Sequence, residues 1–276
     1  MRPRSDPDFS LMPTLFAPDQ RAAVRAFGHY VRLAEDIADN PALARVQKLE
    51  RLEALERRLD DEAAACWSKE AHAAADSLRR ALAGHAVSSQ HPHHLLQAFR
   101  RDVEGHACAT WRDLMAYCQF SAAPIGRLML ELVGEDISRC AAKADALCAA
   151  LRILKQLRDC EDRSVAFNRL CIPRQFLDDA MITPAHLRAP SAKGQTRAVL
   201  DRVLDGVESL LAEAAPLPRL LRDRGMAIHT AIVLCRARRL VRRFRHHDPL
   251  RERVGLAGWQ RLICHWIGTV RGIVRW

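Results

Sequence analysis

Aromatic residues are scarce in this 276-residue chain, at 5%, with only two Tyr. Few strand-forming aromatics and a modest β-branched share argue against a sandwich or barrel. Glycine (12) and proline (13) are ordinary in number, so collagen-like and low-complexity classes are out. The nine Cys are odd in number and include no CxxC pair. This argues against a zinc ribbon or a disulfide framework, and a reducing cytoplasm fits best. No stretch qualifies as a membrane span: the longest run free of Asp, Glu, Lys and Arg, Ala81 to Phe99, carries four His and a Pro. The opening Met-Arg-Pro-Arg-Ser-Asp-Pro-Asp has no apolar h-region and does not read as a secretory signal.

What is present is helix-forming. Apolar residues make up 49%, and Ala, Leu and Arg dominate. Helical periodicity runs over Ala22–Ala38, Arg45–Ala83 (one helix or two), Leu95–Gly105, Trp111–Ser121, Pro124–Val133, Ala141–Arg163, Thr196–Ala214, Pro218–His246 and Trp259–Val274. Gly84–His94 reads as a break and Phe167–Pro190 as irregular. We read one all-α domain over 1–276, with an irregular entry at 1–18 and a basic amphipathic C-terminal helix at 250–276. The net charge of +10 is concentrated at the end. Leu217 to Trp276 holds 14 Arg, no Lys and three acids, a local +11. Such a segment suits phosphate, nucleic acid or an anionic membrane, or is a solvated helix face.

Three constellations carry chemistry. Glu35, Asp36 and Asp39 project from one helix face, following Arg32. Asp159 and Asp162 repeat the pattern on a later helix, next to Arg158. Mg²⁺ takes such oxygen ligands together with substrate phosphate, so two facing acid sets would make a diphosphate–Mg²⁺ clamp. Either set alone also reads as a solvated acidic face. Arg32 and Arg158 would touch the phosphate. The third is Tyr117-Cys-Gln-Phe-Ser121 to Gly126-Arg127, where small residues and Pro124 mark either a kink beside a cavity or a tight helix crossing. His91-Pro-His93-His94 reads as an exposed loop rather than a metal tract. The arginines of 236–247 lack interleaved aromatics, so nucleic acid is not expected.

Taken in order, Glu35-Asp-Ile-Ala-Asp39, Phe99-Arg-Arg-Asp-Val103, Tyr117-Cys to Gly126-Arg127, Leu157-Arg-Asp-Cys160 to Asn168-Arg-Leu-Cys-Ile-Pro173, and Asp248-Pro-Leu-Arg-Glu-Arg-Val254 resemble the squalene/phytoene synthase family. Within it, they are most similar to the branch that forms hydroxysqualene in bacterial hopanoid synthesis. The resemblance implies the all-α terpenoid synthase fold with a central cavity, Mg²⁺ as cofactor and a prenyl diphosphate as substrate. Glu35 and Asp39 would be the first metal pair, with Asp159 and Asp162 the second; Arg32, Arg158 and Lys155 would hold diphosphate. Tyr117, Ser121 and Gly126 would line the cavity. The implied reaction ionises presqualene diphosphate and admits one water, giving hydroxysqualene. The chain departs from the family pattern at Glu35 (Asp), Lys155 (Asn), Arg163 (acid), Cys108 (Tyr) and Asp8-Phe9 (Ser-Phe). Two alternatives therefore stay open: a synthase condensing farnesyl or geranylgeranyl diphosphate, or a non-catalytic assembly protein. Along the last helix, Trp259, Leu262, Ile263, Trp266, Ile267, Val270, Ile273 and Val274 make one apolar face, bordered by Arg261, Arg271 and Arg275. It either packs on the bundle or contacts the inner face of the membrane.

Overall fold

Pro18 opens α1 (Pro18–Asp39) from its first turn, where the missing N–H costs nothing. The computed structural model describes residues 15–61, 63–159 and 172–274, and helices are the only regular structure among them. After the Asn40-Pro41 stop comes α2 (Arg45–Asp60). α3 (Lys69–Gly84) is capped by Ser68, whose hydroxyl accepts from Ala71 N–H at 3.1 Å. α4 (Gln90–Glu104) closes on Gly105, whose φ of 77° is left-handed. α5 (Trp111–Ser121) starts from a reciprocal Thr110–Asp113 capping box. Ala122 breaks the helix ahead of Pro124, and α6 (Ala123–Leu132) follows.

The long α7 (Ile137–Asp159) precedes the remaining helices. They are α8 (Arg174–Asp179), α9 (Gln195–Glu213), α10 (Leu217–Leu220), α11 (Arg224–His246) and α12 (Gly258–Val274). α1 packs on α2, α3 and α4, whereas α7 packs on α5, α6, α9, α10 and α11. Both groups share one core, in which Leu55, Leu96, Leu128, Leu154 and Leu240 are wholly buried. Each such side chain contributes about 1.5–3 kcal/mol.

Four stretches differ from the sequence reading. The helix expected over Pro218–His246 is two, because Leu221–Asp223 breaks it. There the buried Glu135 carboxylate accepts from Arg222 N–H at 2.6 Å and Asp223 N–H at 2.7 Å, and Asp223 caps α11 through Met226 N–H at 2.6 Å. The His91–His94 tract belongs to the first turn of α4 rather than a loop. His91 is buried with Nε2 2.9 Å from Glu131, and His93 sits between Glu56 (3.1 Å) and Asp60 (2.8 Å). Within Phe167–Pro190, α8 and a short 3₁₀ turn, Pro184–Arg188, are regular. The last helix occupies 258–274, while 250–257 runs without helix and buries Val254 and Leu256.

α12 lies along α11 by a seam of small residues. A Cβ on Gly268 would stand 2.5 Å from Ile232 Cα, and one on Gly272 2.6 Å from Ile228 Cα; Cys264 is buried on the same edge. The helix thus packs on the bundle, but not by its apolar face. Among the described residues no helix is long and apolar enough to cross a membrane.

Candidate active site

Glu35, Asp36 and Asp39 lie at the C-terminal end of α1, and Asp159 at that of α7. Unpaired carbonyls give such ends a partial negative charge, so carboxylates there need a cation nearby. Lys155 supplies one: its Nζ donates to Glu35 Oε1 at 2.6 Å and ties α7 to α1. Asp39 turns inward, with Oδ1 closed to solvent, while Asp36 and Arg32 are exposed. The Asp36 carboxyl is raised above the ordinary range by partial burial and then by the like charge of Glu35.

Asp159 is half-buried. Burial raises its carboxyl, Glu35 adds to this, and Lys155, Arg158 and Arg253 oppose it. Arg158 is 3% exposed, and burial pulls its guanidinium down to about 10, with Arg253 acting in the same direction and Asp159 against it. Glu35, Lys155, Asp159, Arg158 and Arg253 therefore share one electrostatic neighbourhood. Asp162 and Arg163 lie outside the described residues, as do Cys160, Asn168 and Asp8-Phe9.

Sequence reasoning did not name Arg152, Asp102 or Arg253 as site residues. Tyr117 Oη donates to Asp102 Oδ1 at 2.7 Å and accepts from Arg152 Nη2 at 2.9 Å. Burial would lower the Arg152 guanidinium, but Tyr117, Asp102 and Glu35 together raise it above its ordinary value. Arg152 is thus held as a cation one turn before Lys155 and two before Asp159. That spacing of 3 and 7 was readable from the sequence, and Asp102 and Arg253 both fall in quoted motifs. Ser121 is buried, and its hydroxyl has no partner among the described residues. Gly126 meets α7: a Cβ there would lie 2.7 Å from Cys148 Sγ, so this glycine serves a tight helix crossing. Cys108 is buried before α5, and its carbonyl accepts from Arg174 N–H at 3.0 Å.

Among the described residues, no three or more His, Cys, Asp or Glu are grouped to hold a metal ion. The donors present, Glu35, Asp39 and Asp159, are carboxylate oxygens, the kind Mg²⁺ takes. Mg²⁺ needs only one or two of them when substrate phosphate and water complete its shell, so the donor chemistry fits.

This bundle, strand-free among the described residues, with acids and cations meeting at two helix ends, has the terpenoid synthase-like fold. A dehydrosqualene synthase structure superposes with a TM-score of 0.75 at 17% identity, covering 96% of this chain and 90% of that one. A squalene synthase from Alicyclobacillus acidocaldarius gives 0.69 at 28% identity, covering 85% and 86%. The model of the squalene/phytoene synthase family matches residues 2–260, and the chain belongs to that family. A hydroxysqualene synthase from Rhodopseudomonas palustris is 34% identical over 251 residues, 91% of this chain and 84% of that protein. One from Sinorhizobium fredii is 33% identical over 273 residues, 97% and 91%.

Proposed function

We propose that the protein converts presqualene diphosphate and water to hydroxysqualene and diphosphate in hopanoid synthesis. The observation that carries this reading is the meeting of Glu35, Lys155, Asp159 and Arg158 at the ends of α1 and α7. The hydroxysqualene synthases similar to nearly the whole chain support the choice of reaction.

Arg158 and Lys155 bind the diphosphate oxygens, with Arg32 reaching them from the exposed side of α1. Arg158 does so as a desolvated guanidinium, whose pull on phosphate is stronger than in water. Glu35, Asp39 and Asp159 would hold Mg²⁺, which supplies Lewis-acid stabilisation of the leaving diphosphate when bound. The C–O bond breaks with its electron pair passing to diphosphate, and the carbocation rearranges between apolar walls that limit water. Water then forms the new C–O bond and releases one proton. In this reading Tyr117, held between Asp102 and Arg152, and Ser121 would line the cavity that shelters the cation.

The Lys155–Glu35 bridge favours a second reading, a non-catalytic assembly protein, because an ammonium there competes with a metal ion for Glu35. Incubating the purified protein with presqualene diphosphate and Mg²⁺ and identifying the product tests the first. Hydroxysqualene supports it. Substrate left intact, with no Mg²⁺-dependent binding of a farnesyl thiodiphosphate analogue, supports the second. Farnesyl or geranylgeranyl diphosphate consumed instead would point to a condensing synthase.

A further inference from the structure

We propose that the outward face of α12 is a docking surface for an anionic lipid bilayer. Its apolar stripe enters the membrane interface, and the arginines beside it meet lipid phosphates. Each helical residue turns by about 100°, which sets Trp259, Leu262, Ile263, Trp266, Val270 and Ile273 within one arc of about 100°. All six are exposed, Leu262 and Trp266 to 73%. Cys264, Gly268 and Gly272 lie on the opposite edge, against the α11 backbone. The stripe is therefore held outward: the seam has no room for larger side chains, and a rotated α12 would lose it. Scattered surface apolar residues are ordinary, but two Trp and four aliphatics in one straight row of about 21 Å are a surface. Trp suits the headgroup level, where one ring edge is wet.

One flank of that row is cationic. Gln260 and the exposed Arg271, three turns apart, share it. Beside Gln260 opens a depression whose other walls are Arg239, Arg242, Arg243, His246 and His247. Among the described residues no carboxylate pairs with Arg239, Arg242 or Arg243, whereas the neighbouring Arg245 is engaged with Asp201, Asp205 and Glu208. Charge selects the occupant. A second copy of this chain would bring the same arginines face to face, whereas an anionic bilayer presents a plane of phosphates beneath an apolar layer. The inference stands on this surface alone and is independent of the reaction proposed above.

Co-sedimentation of the full chain with phosphatidylcholine vesicles, with and without phosphatidylglycerol, tests it. Binding is expected only with phosphatidylglycerol and weakens as salt rises. Leu262→Gln with Trp266→Gln, and separately Arg242→Gln with Arg271→Gln, should each lower partitioning by about tenfold or more. These side chains are exposed, so melting curves stay unchanged; Val270→Gln with Ile273→Gln provides a second apolar pair. No binding to phosphatidylglycerol vesicles at low salt would overturn the proposal, as would binding that neither class of variant changes. So would a dimer in analytical ultracentrifugation that the Leu262/Trp266 variant dissociates while vesicles are ignored, because the face would then belong to a second copy.

Discussion

Asp36 is exposed at the end of α1, whereas Asp39 faces inward and Asp159 sits among Lys155, Arg158 and Arg253. Asp36→Asn should therefore be mild, and Asp39→Asn or Asp159→Asn should lower turnover by on the order of 10²-fold or more. Equal rates for the three variants would refute the assignment. Sequence spacing named Glu35, Asp39 and Asp159 but left Arg152 unnamed, because its role depends on Tyr117 and Asp102 from two other helices. A second prediction concerns His229, buried on α11 with no hydrogen-bond partner for Nδ1 among the described residues. Burial, and then Arg236, depress its imidazole from 6.5 to about 4. The unfolded chain thus takes up the proton before the folded one does. The contribution is whole above pH 6.5 and is lost as pH falls towards about 4. The loss is on the order of 3 kcal/mol. Urea melts across that window should show a flatter pH dependence for His229→Gln.

Helices announced by caps and periodicity were legible; those decided by distant partners were not. Pro92 made the start of α4 look like a break, yet a Pro in a first turn removes no helical hydrogen bond. The gap between α10 and α11 depends on Glu135, 87 and 88 residues from the two N–H groups it binds. Glu135→Leu would leave both groups unpaired and should cost about 2 kcal/mol or more, read from the chemical melting midpoint. The apolar periodicity of α12 was equally plain, but periodicity cannot say which edge meets the bundle. Three small residues at spacings of four, Cys264, Gly268 and Gly272, were the available signal. Gly268→Val would push side-chain atoms into the Ile232 backbone and should destabilise by about 1–3 kcal/mol, visible as a lowered Tm.

At the scale of the whole molecule, fold class was legible because helix formers and 3.6-residue periodicity dominate nearly every stretch. The site was half legible: spacing put acids on two helices, but only tertiary structure could bring Glu35 to Lys155, 120 residues away. A ligand that joins those ends should stabilise the entire bundle. A farnesyl thiodiphosphate analogue at a hundredfold over its Kd, with Mg²⁺, is expected to add about 2.7 kcal/mol, and a thermal scan with each component alone checks that both are needed. The small-residue seam has a consequence for biosynthesis. α11 touches α7, α9 and α10, and its Ile228 and Ile232 backbone is met by α12, which follows α11 in the chain. A nascent chain halted at the Asp248-Pro249 turn would carry a nearly complete core with one raw edge. Such a chain would expose the Ile228 and Ile232 edge until the residues of α12 are made and dock there.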